Sequence, residues 1–173
     1  VEIIGVGTSP SRGLRRGAVV NIDSTVDAIK EAVDTASLMA GTDIYSVYAG
    51  IAGSHIAGEN SRGVIALKKQ EVERSDVERA IESARAAAVV PADRCILHVL
   101  PREFMVDEQD GIQQPIGMSG ARLEVDVHII TGALTAAQNI TKCVNKAGLD
   151  VIDLVLQPLA SSEAVLSPEE REQ

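Results

Sequence analysis

A strict alternation of apolar and polar side chains over residues 122–129 limits the fold more than any other feature of the chain. The apolar positions are Leu123, Val125, Val127 and Ile129, and the polar ones are Arg122, Glu124, Asp126 and His128. A period of two residues is the side-chain period of a β-strand with one buried face and one face in water. The chain therefore contains a sheet with one wet face, and a core must form against the other.

Residues 53–126 have a pattern that differs from the residues on either side. The predicted elements are a strand over residues 64–67, a helix over 75–88, a strand over 95–104 and the strand that begins near 121. The helix start is predicted from the capping box of Ser75 and Glu78, whose side chains would each bond a free backbone N–H. An acidic, glycine-containing loop is expected between the last two strands, so the module has the order strand, helix, strand, strand.

The chain on both sides of this module alternates strands and helices. Strands are predicted over residues 1–7, 44–51 and 151–156, and helices from Asn21 or Asp23 to Gly41, over 135–147, and from 158. The simplest architecture is one α/β layer that is interrupted and then resumed. We predict an α/β subdomain of residues 1–52 and 127–173 with an inserted α+β module of residues 53–126.

Composition narrows the class of partner. The chain has 173 residues, of which 45% are hydrophobic and only 2% aromatic, so the core must consist of aliphatic side chains and base-stacking platforms are not expected. Its 25 acidic and 16 basic residues give a formal charge of −9, which repels a phosphate backbone. We predict no nucleic acid partner.

The two cysteines lie in separate apolar segments and are predicted to be reduced and buried. The sequence shows no membrane-spanning run and no signal peptide, so a cytoplasmic location is expected.

No pattern typical of catalysis or metal binding stands out. The three histidines, His55, His98 and His128, have no partner at metal-ligand spacing and are predicted to be structural or exposed. The pair Gly5 and Gly7 follows a predicted strand, but Pro10 stands where a dinucleotide fingerprint needs its third glycine. Phosphate-binding P-loops and seryl nucleophile elbows are also absent from the sequence. We predict no catalytic residue and no metal ligand.

Several segments resemble the FtsA family of bacterial actin-like proteins. The segments are Ile4-Gly5-Val6-Gly7, Pro10-Ser11-Arg12-Gly13, Ser46-Val47-Tyr48, Leu97-His98-Val99-Leu100-Pro101-Arg102-Glu103-Phe104 and Pro115-Ile116-Gly117-Met118-Ser119-Gly120-Ala121-Arg122-Leu123. The resemblance runs over the whole chain in the family's order. It implies a partial actin-like (ribonuclease H-like) subdomain, 1A-like, with the family's inserted 1C-like module at residues 53–126.

The resemblance also implies a function for the full-length protein. That protein is expected to bind ATP and Mg²⁺, to polymerise head to tail, and to link the FtsZ ring to the inner membrane through a C-terminal helix. It would recruit later division proteins such as FtsN, whose basic cytoplasmic tail binds the inserted module, at the cytoplasmic face of the division septum. The phosphate loops and the half that contacts FtsZ are expected outside residues 1–173, so this chain is expected to be an internal piece that is no enzyme and holds no nucleotide tightly.

Two sets of residues are candidates for sites. The resemblance places Gln157 near the nucleotide of the full-length protein. Five charged positions near the rim of the module are the predicted protein-interaction residues: Glu71, Glu73, Arg79, Asp93 and Arg94. Two other functions remain open, a pilus-assembly scaffold of related fold and an enzyme of the same broad fold, such as a sugar kinase or a chaperone-like ATPase.

Overall fold

A computed structural model describes residues 2–171 of the chain. The elements in chain order are β1 (Leu14–Arg15), β2 (Ala18–Val19), α1 (Ile22–Ala40), β3 (Ser46–Ile51), β4 (Ala57–Ala66), α2 (Arg74–Ala87), β5 (Arg94–Val106), β6 (Gln109–Ile112), β7 (Arg122–Ala133), α3 (Leu134–Lys146), β8 (Asp150–Leu156), α4 (Gln157–Val165) and α5 (Pro168–Arg171). They form two compact units. Unit 2 is Ala57–Gly132, and unit 1 contains the residues before and after it.

Unit 1 has a parallel pair of strands, β3 and β8, covered on one face by α1 and α3. Its core is formed by Ala49 of β3, Val144 of α3 and Leu149, with further apolar side chains of α1 packed against them. The helix α1 begins as predicted, because the Asn21 side chain accepts a hydrogen bond from the backbone N–H of Ser24 at 2.9 Å. It ends at Gly41, whose φ of 67° is the left-handed conformation that favours glycine.

The start of unit 1 differs from the prediction. Residues 2–7 form no strand, and instead they lie against α1, where the Val6 N–H donates to the Met39 sulfur at 3.3 Å. A Cβ added to Gly7 would stand 1.7 Å from the Ala32 carbonyl oxygen, so this close approach requires glycine. An apolar run becomes a strand only when it pairs with a second strand, and residues 2–7 pack on a helix instead.

A short hairpin, β1–β2, was not predicted. Leu14 pairs with Val19 and Arg15 with Ala18, which leaves Arg16 and Gly17 as a two-residue loop. Their φ values are 51° and 81°. Two left-handed residues in sequence are typical of a type I′ turn, whose twist matches that of the strands it joins. Arg16 is an unusual residue at such a position, which is why turn chemistry did not reveal the hairpin.

Unit 2 is a four-stranded sheet in the order β4-β7-β5-β6, with α2 packed on one face. The predicted alternation in β7 is confirmed, since its four apolar side chains are at most 1% exposed. Helix α2 packs against the sheet through Ala80 and Ala84. Gly63 of β4 makes this contact possible, because a Cβ there would stand 2.1 Å from the Ala80 carbonyl oxygen.

Three details of unit 2 differ from the prediction. Strand β4 covers Ala57–Ala66 and not only residues 64–67, and the expected acidic loop contains the extra strand β6. The helix cap is Glu73 and not Ser75, because the Asp76 carboxylate accepts the Glu73 backbone N–H at 3.0 Å. The unit ends after Gly132, whereas the predicted boundary at 126/127 would cut β7, which runs unbroken to Ala133. The first boundary lies at 56/57 and was predicted at 52/53.

Both cysteines are free thiols, and the predicted burial is right for Cys143 and wrong for Cys95. Cys143 of α3 is fully buried, and burial raises the pKa of its thiol above the usual value because the thiolate would lose its hydration. Cys95 is half-buried, near the Gly132 carbonyl oxygen. Cys143 is therefore a packing residue of the unit 1 core.

Candidate interaction surfaces

Three of the five predicted interaction residues lie together at the N-terminal end of α2. Glu73 caps the helix and forms an ion pair with Lys69 at 2.8 Å, while Arg79 forms one with Asp76 at 2.8 Å. Glu71 precedes the helix and forms an isolated bridge with Ser119. The Glu71, Glu73 and Arg79 side chains are exposed and could meet a partner. We call this group the α2 N-terminal patch.

The other two predicted residues lie at the opposite end of the helix. Asp93 and Arg94 follow α2, whose 14 residues span about 21 Å along the axis. Asp93 is exposed, but Arg94 donates to both the side-chain and backbone oxygens of Thr131 at 3.0 Å. Arg94 therefore ties the start of β5 to β7. The structure does not bring the five predicted residues into one surface.

A charged network on the open face of the unit 2 sheet was missed from the sequence. Arg62 of β4 donates to both carboxylate oxygens of Asp126 at 2.6 and 2.7 Å. Glu124, which is only 8% exposed, lies 2.9 Å from Arg122 and 3.7 Å from Arg62. The Arg62 hydrogen bond lowers the pKa of Asp126 because it stabilises the carboxylate. Alternation in β7 identified the polar positions, but only the β4–β7 register places Arg62 opposite Asp126.

Asp107 joins two segments of unit 2 that are distant in sequence. It lies in the tight turn between β5 and β6 with a φ of 54°, and its carboxylate accepts the backbone N–H groups of Ala121 and Arg122 at 3.0 and 2.9 Å. Its own N–H donates to the Arg122 carbonyl at 3.0 Å. Aspartate tolerates the left-handed conformation better than most residues, because its short side chain can bond nearby backbone groups. Asp107 therefore sets where β7 begins.

Gln157 is the first residue of α4, and its side chain lies over Gly50 of β3. A Cβ on Gly50 would stand 2.9 Å from the Gln157 Cγ, so the glycine makes room for the glutamine. Beside them is a cavity of about 360 Å³ whose walls are mainly apolar side chains of α1, β3 and α3. Apolar walls suit an apolar group better than the phosphates of a nucleotide.

Two of the three histidines, His55 and His128, form hydrogen-bond contacts with described residues. The His55 Nδ1 accepts the Ala133 N–H at 3.2 Å, and the His128 Nδ1 lies 2.8 Å from the Asn60 side-chain oxygen. Within residues 2–171, no three His, Cys, Asp or Glu side chains are placed to hold a metal ion. Over the same range, no helix has the length and apolar character needed to cross a bilayer.

The chain is similar to bacterial cell-division proteins. Residues 53–131 match the model of the SHS2 domain inserted in FTSA. Over 172 residues, 99% of the chain aligns with "Cell division protein FtsA" of Pseudomonas aeruginosa at 49% identity and of Neisseria meningitidis at 51%. The corresponding Escherichia coli protein is 42% identical. The chain spans about 41% of the length of these relatives.

A solved structure shows the same fold. A chain of the PilM-PilN type IV pilus biogenesis complex superposes with a TM-score of 0.55, covering 90% of this chain and 40% of that one at 16% identity. At 16% identity, the similarity supports a shared fold and no shared function. Together with the family match, it confirms the predicted fold class, a partial actin-like (ribonuclease H-like) α/β subdomain with an inserted α+β module.

Proposed function

The chain belongs to the FtsA family, and we propose that it forms part of a cell-division scaffold. In the full-length protein, this scaffold would polymerise head to tail, link the FtsZ ring to the inner membrane and recruit later division proteins. The observation that carries the proposal is the agreement between the family's inserted domain, matched over residues 53–131, and the compact unit Ala57–Gly132. Relatives named as cell-division proteins over nearly the whole chain support it.

The role of this part of the protein would be binding and not catalysis. ATP and Mg²⁺ would bind to the full-length protein, with the phosphate contacts supplied by parts of the family pattern outside this chain. The apolar walls of the cavity beside Gln157 support that division of labour. Gln157 would then lie near the nucleotide without holding it, and this chain alone would bind ATP weakly.

The inserted module would carry the contacts with protein partners. A basic cytoplasmic tail of the FtsN type would dock on it, and the excess of 25 acidic over 16 basic residues in the chain favours such a partner. The α2 N-terminal patch and Asp93 are the proposed contact positions, whereas Arg94 would act through the fold because it is bonded to Thr131. FtsZ and the membrane would be bound by other parts of the full-length protein, at the cytoplasmic face of the septum.

Two alternatives have weaker support. A pilus-assembly scaffold shares the fold of this chain, but its identity of 16% contrasts with the 49–51% of the cell-division relatives. An ATPase or kinase of the actin-like superfamily would need phosphate loops and acidic metal ligands. ATP turnover by the full-length protein, coupled to phosphorylation of a small molecule, would favour that second alternative.

A chimera tests the scaffold. This chain would replace the matching stretch of the Escherichia coli FtsA protein, in cells depleted of their own copy. The expected result is division at normal cell length with the chimera at mid-cell. A matched chimera carrying Leu123→Asp, which places a charge in the unit 2 core, should fail. Long undivided cells that contain the soluble parent chimera would contradict the proposal.

Charge reversal tests the proposed partner surface. Glu71→Lys with Glu73→Lys should weaken binding of a basic tail peptide by about tenfold, because attraction between opposite charges is replaced by repulsion. The matched control is Asp27→Lys with Glu31→Lys on α1 of unit 1, which makes the same change in net charge at two exposed positions. Fluorescence titration of the labelled peptide measures the affinity. Equal affinities for the parent and the module variant would remove the α2 N-terminal patch from the contact.

A further inference from the structure

The edge strand β6 of unit 2 contains the only Asp-Gly pair of the sequence, Asp110-Gly111. The pair lies where β6 departs from regular pairing with β5, because the register shifts by one residue between Phe104 and Val106. Two residues of β6 therefore oppose one residue of β5, which is the arrangement of a β-bulge. A bulge interrupts the hydrogen-bond ladder and leaves an extra residue unpaired. We call Asp110 and Gly111 the β6 bulge.

An Asp-Gly pair can react with its own main chain without an enzyme. In the acid form of Asp110, the Gly111 nitrogen attacks the Asp110 Cγ. The carboxyl OH and the amide hydrogen leave together as water, and a cyclic imide, a succinimide, remains. Water then opens the ring. Attack at Cγ restores aspartate, whereas attack at the former main-chain carbonyl carbon leaves isoaspartate, whose main chain runs through Cβ and Cγ. The water lost in the first step returns in the second, so nothing is oxidised or reduced.

The fold leaves space for this ring at the β6 bulge. Asp110 and Gly111 are both exposed, and a Cβ added to Gly111 would have no neighbouring atom within 4 Å. Gly111 has a φ of 70°, a left-handed conformation that favours glycine. A glycine also presents no side chain that would hinder attack by its nitrogen. The local structure therefore combines the reactive sequence with an open, irregular piece of main chain.

Strand β4 of the same sheet offers a comparison. Asn60-Ser61 is also a pair that can form a succinimide, in this case with loss of ammonia from the asparagine side chain. Asn60 is exposed like Asp110, but it pairs with His128, and Ser61 pairs with Val127, in an unbroken ladder. Ring closure at Asn60 must first open that ladder, and opening of paired strands costs free energy. The two sites therefore differ in pairing and not in exposure.

We propose that the β6 bulge is a site of spontaneous isoaspartate formation, which marks the age of unit 2 and loosens its edge. Isoaspartate lengthens the main chain between Gln109 and Ile112 and so displaces Ile112 from its place opposite Phe104. Ile112 is 8% exposed and belongs to the unit 2 core. The modified strand β6 would lose that anchor, while β4 and β7 keep their ladder. This proposal goes beyond the scaffold function and does not depend on it.

Incubation of the purified chain near neutral pH at physiological temperature tests the chemistry. An isoaspartyl methyltransferase, which moves the methyl group of S-adenosylmethionine to the carboxylate of isoaspartate, counts the sites, and peptide mass spectrometry locates them. The rate in the folded chain is divided into the rate in urea for each pair. This protection should be at least about tenfold smaller at Asp110 than at Asn60, which corresponds to a barrier difference of about 1.4 kcal/mol.

A matched variant separates the chemistry from the charge. Asp110→Glu keeps the carboxylate, but its side chain would have to close a larger ring, which forms far more slowly. The variant should therefore accumulate no methyl-accepting residue at this position. Asp110→Asn should accumulate isoaspartate faster than the parent, because an Asn-Gly pair closes the ring more readily than an Asp-Gly pair.

Hydrogen exchange tests the effect on the fold. The isomerised chain is separated from the parent by chromatography, and its amides over Gln109–Ile112 should exchange at least about tenfold faster, with those of β4 and β7 unchanged. The Escherichia coli chimera described above is incubated in the same way as purified full-length protein. It should form isoaspartate at the same pair, and its Asp110→Glu variant should not.

Three results would overturn the proposal. Equal protection of Asp110 and Asn60 in the folded chain would mean that the bulge is no more reactive than a paired strand. Unchanged exchange of β6 after isomerisation would mean that the modification does not loosen unit 2. A full-length chimera that stays free of isoaspartate would mean that the rest of the protein shields β6. All three are measured on purified protein, so they can fail while the chimera still restores division, and the reverse also holds.

Discussion

The Asp107 side chain joins the turn after β5 to the start of β7, so the stability of unit 2 depends on this single residue. Replacing it with alanine removes the acceptor of two backbone N–H groups, from Ala121 and Arg122, and leaves a non-glycine residue without local bonds at a φ of 54°. A lost hydrogen bond costs about 1 kcal/mol and the left-handed conformation about 1 kcal/mol more. We expect Asp107→Ala to lower the free energy of unfolding by about 2–3 kcal/mol in urea denaturation.

The matched variant is Asp107→Asn. The amide oxygen still accepts a hydrogen bond, and asparagine tolerates the left-handed conformation, so the loss should be less than half that of the alanine variant. Equal losses for the two substitutions would mean that the carboxylate charge, and not the geometry of the turn, stabilises this corner of the sheet.

Asp126 should make the stability of unit 2 depend on pH. Its pKa is lowered in the folded protein, chiefly by the Arg62 hydrogen bond. A lowered folded-state pKa contributes stability above the unfolded-state pKa, which is about 3.9, and that contribution is lost as pH falls through the folded-state value. As the pH is lowered from about 5 to about 3, the stability of Asp126→Asn should therefore fall less steeply than that of the parent. Thermal melts across this range measure it, and parallel profiles for the two proteins would contradict the assignment.

At the scale of the secondary-structure element, a capping box of Glu73 and Asp76 stabilises the start of α2. Asp76 is buried, and it accepts from the Glu73 backbone N–H and from Arg79. Asp76→Ala should cost about 1–2 kcal/mol, as the loss of a helix cap usually does. Ser75→Ala should change stability by less than about 0.5 kcal/mol, since Ser75 is exposed in the first turn. Urea denaturation distinguishes them, and a reversed order would restore the capping box predicted from Ser75 and Glu78.

At the scale of the whole molecule, the two units differ in how well their sheets are supported. Strand β7 has a neighbour on each side and four apolar side chains in the core. Strands β3 and β8 form a two-stranded sheet beside a cavity of about 360 Å³. A two-stranded sheet gains little stability by itself, and cavity walls lose packing contacts.

Hydrogen exchange should report this difference directly. We expect the amides of β7 to exchange at least about tenfold more slowly than those of β3 and β8, because opening of unit 1 requires less apolar surface to be exposed. Exchange measured by mass spectrometry resolves these segments. Equal protection of β3 and β7 would mean that the two units open as a single cooperative body.

Local sequence patterns were sufficient to predict most helices and strands of this chain, and its motifs were sufficient to indicate its family. The alternation in β7 identified the sheet, and Asn21 and Gly41 identified the ends of α1, because side-chain period and capping depend on residues a few positions apart. The motif segments indicated the FtsA family, which the relatives confirm. The α2 N-terminal patch lies at the start of the helix that was predicted over residues 75–88. Its role in binding stays a prediction.

Tertiary structure alone decided the pairings between distant residues. Arg62 meets Asp126 because of the β4–β7 register, and Asp107 reaches Ala121 and Arg122 because a turn folds back on the start of β7. The same reason explains Arg94, which looked like a free surface charge in the sequence and is bonded to Thr131. A charged side chain is exposed or bonded according to what the fold places beside it, and that neighbour is set by chain segments dozens of residues away.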